Sequence, residues 1–121
     1  MEISIVIPAY NEEERLPRTL ETVIDYFETQ NKTFEIIVVD DGSEDRTIEV
    51  TQASNPKVRV FSLHHNSGKG AAVRAGIEQA TGDIILFSDA DLSTPITEFP
   101  KLYSAIQNSS DIAIGSRAID S

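Results

Sequence analysis

The chain contains no cysteine among its 121 residues. That excludes disulfides, zinc–thiolate clusters and a thiol nucleophile, and it fits a reducing compartment, with the cytoplasm as the expected location. Basic residues are scarce: 10 Lys and Arg against 20 Asp and Glu leave a formal net charge of −10. Such a surface repels nucleic acid and anionic lipid unless a cation stands between, so no nucleic-acid partner is expected. No apolar run approaches the ~20 residues of a membrane span. The opening "MEISIVIPAYNEEE" puts an acid before a short apolar run, unlike a signal peptide. Internal repeats, linkers and low-complexity tracts are missing too, and the length suits one domain with a single core.

What is present is a set of short runs rich in Ile and Val: "ISIVI" (3–7), "FEIIVV" (34–39), "VRVFSL" (58–63), "DIILF" (83–87) and "DIAIG" (111–115). Most lack clean alternation, the mark of strands covered on both faces, and helix-length segments separate them. The expected fold is α/β, a Rossmann-like, mostly parallel sheet with helices on both faces. Leu16, Leu20, Val23, Ile24 and Phe27 form one stripe of a first helix, with Asn11 as expected N-cap, Glu12 to Glu14 in its first turn, and Pro17 placed to shift that start. Ser43 is the expected cap of a second helix and Gly82 the expected C-cap of a third. Thr97 is the expected cap of a fourth, with Phe99, Leu102, Tyr103 and Ile106 on one face.

In open sheets of this kind ligands collect at the carboxyl ends of the strands. The residues there are "PAYNEE", "DDGSED", "HHNSGKG", "SDADLSTP" and "SRAIDS". Asp89 and Asp91 flank Ala90. Carboxylates at that spacing in a turn can both face one hard cation, which prefers oxygen ligands; either can equally cap the turn, and only their place after a strand favours the ligand role. Of Asp40 and Asp41, Asp40 is expected to brace the Gly–Ser turn through an Asx-type bond and Asp41 to accept from a ligand hydroxyl or N–H. Lys69 within "NSGKG" suits an anionic group beside backbone N–H donors. A plain turn accounts for it as well, and the Walker spacing is missing. His64 and His65 are adjacent, so on a strand they point to opposite sides, and structural or solvated roles are expected. Arg74 is expected at the surface. Arg117 can meet a phosphate but is otherwise one surface arginine among several.

Taken together, "ISIVIPAYNEEERLPRTL", "EIIVVDDGSEDRT", "HNSGKGAAVRAGIEQATGDIILFSDADLSTP" and "AIGSR" resemble the start of a family 2 glycosyltransferase with the GT-A fold. Within that family they look like the polyprenyl- and dolichyl-phosphate sugar transferases, and "NSGKGAAVRAG" and "DADLSTP" most resemble the dolichyl-phosphate β-glucosyltransferases. The resemblance covers essentially the whole chain, and the ordered set of motifs is far more specific than any one of them. It implies inverting transfer of a hexose, glucose or else mannose, from UDP-glucose or GDP-mannose to a polyprenyl or dolichyl phosphate at a membrane surface, with Mg2+ or Mn2+. It also implies that Pro8, Ala9, Tyr10 and Glu12 contact the nucleotide and that Val39 and Asp41 hold base and ribose. Asp89 and Ala90 would face the nucleoside end and Asp91 would coordinate the metal, with Asp89 and Ser93 as further candidate ligands; Arg117 would meet the diphosphate. Ser93 stands where mannosyltransferases often have Gln. A cation between an acidic protein and a polyanionic donor would resolve the charge problem. Family members usually continue well past this length, so the chain is expected to be a single donor-binding domain over 1–121, truncated on its acceptor side. An exposed sheet edge there would favour dimerisation.

Other classes fit less well. "SDADLST" also matches the nucleophile motif of haloacid dehalogenase-like phosphatases, with Asp89 as the phosphoryl acceptor. That site needs a Lys and further acids on later strands, and only 30 residues follow Asp91. A receiver domain would carry its acid pair on the first strand rather than the second. A nucleotide-sugar-binding module without turnover remains as the alternative, since fold does not decide it.

Overall fold

The computed structural model describes residues 2–88, 90 and, as backbone, 112–114. In chain order they form β1 (Ile3–Ala9), α1 (Leu16–Glu28), β2 (Phe34–Asp40), α2 (Thr47–Gln52), β3 (Val58–Ser62), α3 (Lys69–Gln79), β4 (Ile84–Phe87) and β5 (Ile112–Ile114). Each expected strand is present to within a few residues. The fourth expected helix and its cap Thr97 lie outside the described residues.

The sheet runs β3-β2-β1-β4-β5 with every neighbouring pair parallel. Every residue of β2 is buried, as is all of β1 except half-buried Pro8. Strands flanked and covered on both faces have no solvent side to alternate toward, which is why their sequences read as unbroken apolar runs. At the edge, β3 does alternate between half-buried and exposed residues, and Phe61 is exposed. Ile3, Ile5 and Ile7 with Ile36 and Val38 pack under Leu16, Leu20, Val23 and Phe27 of α1. Val6, Ile37 and Val39 face the other way, onto Ala72 and Ala75 of α3. Small residues let α3 lie close: a Cβ on Gly76 would sit 2.3 Å from Val6 Cγ1.

Three expected helix boundaries differ. α1 begins at Leu16, not behind Asn11: Arg15 occupies the cap position and Pro17 sits in the first turn, where a missing N–H is harmless. Asn11 has φ 53°, and its side chain serves a neighbouring loop. α2 begins at Thr47 with Arg46 before it, because Ser43 is likewise engaged across loops. α3 ends at Gln79 with Ala80 extended, so Gly82 caps nothing. Gly82 is required for close approach instead: its N–H donates to Ser4 Oγ at 2.8 Å, and a Cβ would lie 2.7 Å from the Ser4 backbone nitrogen.

The amino-terminal end of the sheet holds a polar staple. Buried Glu35 on β2 accepts from Ser4 Oγ at 2.7 Å, from the Thr81 amide and hydroxyl at 2.9 and 2.8 Å, and from Arg59 of β3 at 3.0 Å. Burial would raise its pKa, but these donors outweigh burial and hold the carboxyl below the ordinary glutamate value. β1, β2, β3 and the turn before β4 are thereby fastened at the end opposite the candidate site.

Candidate functional site

The chain leaves β1 for β2 and β3 on one side, then returns to place β4 on the other. The reversal opens a crevice between the carboxyl ends of β1 and β4, where open parallel sheets take their ligands. Val6 pairs with Phe87, the last residue of β4, and the Ser88 amide donates to Val6 O at 3.0 Å. At Ser88 the chain thus leaves the sheet beside β1, short of the loop that follows Ala9.

That first loop is laced to the second by backbone N–H donors meeting short side chains. The amides of Asn11, Glu12 and Glu13 donate to Ser43 Oγ (2.9 Å), Thr47 Oγ1 (2.8 Å) and Asp45 Oδ2 (3.2 Å). The Glu44 amide returns a bond to Asn11 Oδ1 at 2.9 Å. Asp45 Oδ1 accepts from both the amide and hydroxyl of Thr47. Burial pushes the Asp45 carboxyl up, but Thr47 and the Glu13 amide pull harder and leave it below the ordinary aspartate value.

The third loop is held by Asp41, whose two carboxylate oxygens accept from the Ser67 amide at 2.6 Å and the Gly68 amide at 3.0 Å. Gly42, at φ 77°, lets the chains pass: a Cβ there would be 2.5 Å from the backbone of His65 and Asn66. Asp40 braces the turn as expected, accepting from the Ser43 amide at 3.0 Å through Oδ2. Its Oδ1 is buried with no hydrogen-bond partner among the described residues.

The sequence-predicted residues fall around this edge. Pro8 and Ala9 close β1 opposite Val39 and Asp40, and Tyr10 beyond them is 43% exposed. Glu12 is half-buried and its carboxylate pairs with Arg15 at 2.6 Å. Val39 is wholly buried against the α3 face, and Asp41 is buried in its bonds to the third loop. Lys69 opens α3 and is exposed, immediately after Gly68 at φ 100°. Ala90 is 4% exposed within the α1-side core. His64, His65 and Arg74 are exposed, as expected. Asp89, Asp91, Ser93 and Arg117 lie outside the described residues. Sequence reasoning missed Thr19, Asp45 and Thr47, which build the site without facing it. Thr19 was detectable as the one polar residue inside an apolar helical stripe.

A metal is tested by the donors available. Among the described residues no group of three His, Cys, Asp or Glu side chains could hold an ion. Mg2+ and similar hard cations need no such cage when substrate phosphates complete their shell, since one or two carboxylates suffice. The acids of "SDAD" at the end of β4 fit that donor set.

An open parallel sheet with a switch point between β1 and β4 and three laced loops along the same carboxyl edge defines a ligand-binding α/β domain of the nucleotide-binding kind. The comparisons narrow the class: residues 4–121 match the model of glycosyl transferase family 2, and the chain belongs to that family. It is 42% identical to the dolichyl-phosphate β-glucosyltransferase of Drosophila melanogaster, over 98% of this chain and 41% of that protein. It is 42% identical to a dolichol-phosphate mannosyltransferase of Pyrococcus furiosus, over 98% of this chain and 34% of that protein. Glucosyl-3-phosphoglycerate synthase of Mycobacterium tuberculosis, solved with Mn2+, UDP and glucosyl-3-phosphoglycerate, superposes with a TM-score of 0.69 at 29% identity, covering 91% of this chain and 40% of that one. The fold is that of the GT-A glycosyltransferases, and the chain spans about two-fifths of the length of the dolichyl-phosphate glucosyltransferase it matches.

Proposed function

We propose that this chain is the donor-binding part of an inverting, metal-dependent glycosyltransferase that moves a hexose, glucose before mannose, from a nucleoside diphosphate sugar to a polyprenyl or dolichyl phosphate. The observation that carries the proposal is that the Pro8–Glu12 loop, the Asp41 loop and the turn at Ala90 all leave the same carboxyl edge of the sheet, in a member of this family. Pro8, Ala9, Tyr10 and Glu12 would border the nucleotide. Val39 would back the site from the core, Asp41 would offer an acceptor for base or ribose, and Lys69 would face the anionic end. Asp89 would lie at the nucleoside end. Asp91, with Asp89 and Ser93 as further candidates, would hold Mg2+ or Mn2+, and Arg117 would meet the diphosphate.

A divalent cation bound there would neutralise the charge gathering on the nucleoside diphosphate as it departs. The side chains around it orient the donor and exclude water. A lipid phosphate acceptor, with a second pKa near ~6, is ionised at neutral pH and needs no general base. The acceptor places the reaction at a membrane surface, and the cytoplasmic face suits the composition; among the described residues no helix is long and apolar enough to cross a membrane. A second reading is donor binding without turnover, since the fold positions a ligand without deciding whether it reacts. Self-association, expected at the edge beyond the fifth strand, is also part of the proposal, but at the opposite edge, β3, because that strand carries the exposed Phe61.

Calorimetric titration of UDP-glucose with and without Mn2+, on wild type and Asp91→Asn, tests it. Binding that requires both the metal and Asp91 is expected; binding indifferent to both would refute it. UDP release on addition of a polyprenyl phosphate separates transferase from binding module.

A further inference from the structure

Thr19 is buried on α1 at 4% exposure, in a stripe otherwise made of Leu16, Leu20, Val23 and Phe27. Threonines inside helices commonly return their hydroxyl to the carbonyl one turn back. Thr22 does so to Arg18 O, and Thr51 to Thr47 O. Thr19 does not: its hydroxyl crosses to the Ala90 carbonyl at 2.5 Å, a partner 71 residues away. Ala90 is itself buried in the same apolar cluster, where a backbone carbonyl needs a partner, and Thr19 supplies one. The carbonyl belongs to the planar peptide that leads from Ala90 to Asp91. Two restraints therefore act on the middle of Asp-Ala-Asp: the Ala90 methyl is packed under α1, and its carbonyl is tied to α1.

We propose that Thr19 is a positioning residue for the acidic turn. It sets the direction in which the chain enters Asp91, so that affinity for a metal–diphosphate depends on a hydroxyl that never touches the donor. The inference rests on the reading of Asp91 as metal ligand given above. Its weight falls on the metal-linked part of binding, because Thr19 makes no bond to the loops around Pro8, Asp41 or Lys69 among those described. Outer-shell partners of metal sites typically alter metal affinity by about 10–100-fold when removed.

The test titrates UDP in the presence of Mn2+, and uridine without metal, into wild type, Thr19→Val, Thr19→Ala and Thr19→Ser, with thermal unfolding of each. Thr19→Val and Thr19→Ala are expected to weaken Mn2+-dependent UDP binding by about 10–100-fold while uridine binding stays within about twofold, and Thr19→Ser is expected to restore the wild-type value. Wild-type UDP affinity in Thr19→Val, an equal loss for uridine, or failure of Thr19→Ser to restore binding would each overturn the inference. So would loss of cooperative unfolding in both Thr19→Val and Thr19→Ala, since the hydroxyl would then be holding the fold rather than the turn. Wild type that binds uridine but gains nothing from Mn2+ with UDP would overturn the metal reading itself, and the inference with it.

Discussion

Replacing Asp41 by asparagine separates the two neighbouring acids that end β2. Asp41 is 6% exposed and its two carboxylate oxygens accept from the amides of Ser67 and Gly68. Each such bond from an amide to a charged acceptor contributes about 1.5–3 kcal/mol. Asparagine keeps one neutral acceptor and turns an NH2 group against the second amide, so a net loss of about 2–4 kcal/mol is expected. Asp40→Asn is the control. Asp40 is buried more deeply, yet only Oδ2 is bonded, to the Ser43 amide, and Oδ1 has no partner among the described residues. An asparagine there can keep its oxygen on Ser43 and exchanges a charged orphan for a neutral one, so a change within about 1 kcal/mol is expected. Urea unfolding followed by circular dichroism measures both. With a slope of about 2 kcal/mol/M, Asp41→Asn should lower the midpoint by about 1–2 M and Asp40→Asn by less than about 0.5 M. Equal shifts, or a larger one for Asp40→Asn, would refute the reasoning that hydrogen-bond occupancy rather than burial ranks these acids.

Other outcomes follow from the same structure. Gly76→Ala should destabilise by about 1–3 kcal/mol in urea melts because its Cβ meets Val6 Cγ1 at 2.3 Å, and Val6→Ala in the same chain should recover part of that loss. Gly70→Ala, inside α3 with nothing within 4 Å of the added Cβ, should instead stabilise by about 0.4–1 kcal/mol. The depressed pKa of Glu35 means that its contribution is present above the ordinary glutamate value of 4.5 and is lost as pH falls below it. Wild type should therefore lose stability between neutral and acid pH more steeply than Glu35→Gln, and parallel pH profiles would sink that assignment. Light scattering at micromolar concentration should give a mass above that of the monomer, and Phe61→Lys on the exposed edge should return it to the monomer.

Much of the sheet was legible in the sequence because a strand buried on both faces has nowhere to put a polar residue, and Ile-rich runs such as "ISIVI" and "FEIIVV" state that directly. The stripe of α1 was legible for the same reason. Helix boundaries were not. Asn11 and Ser43 have the short polar side chains that cap helices, and the structure uses that chemistry on amides across loops, at sequence separations of 32 and 33. Local sequence cannot say which N–H such a side chain will find. The edge character of β3 shows only in a modest alternation, Arg59 and Phe61 outward against Val58 and Val60. At the carboxyl edge, "DDGSED" and "NSGKG" mark two of the loops that the structure ties together. That Asp41 holds the third loop, and that Asp45 and Thr47 hold the first, depends on pairings no motif spells out.

The lacing of the loops also carries an order in time. The bonds joining the first loop to the second span 32 to 35 residues, and those joining the second to the third span 25 to 27. The bond from Thr19 to Ala90 spans 71. Closing longer loops is slower and entropically less favourable. On a ribosome the three laced loops, the side proposed to take the nucleoside, can therefore assemble from the first seventy or so residues. α1 must wait, its buried hydroxyl unmatched, until the acidic turn emerges. Among the described residues the last contact made at this edge is the one that seats the turn at Ala90, so in a chain caught part-way the proposed nucleoside side would be in place before the proposed diphosphate side.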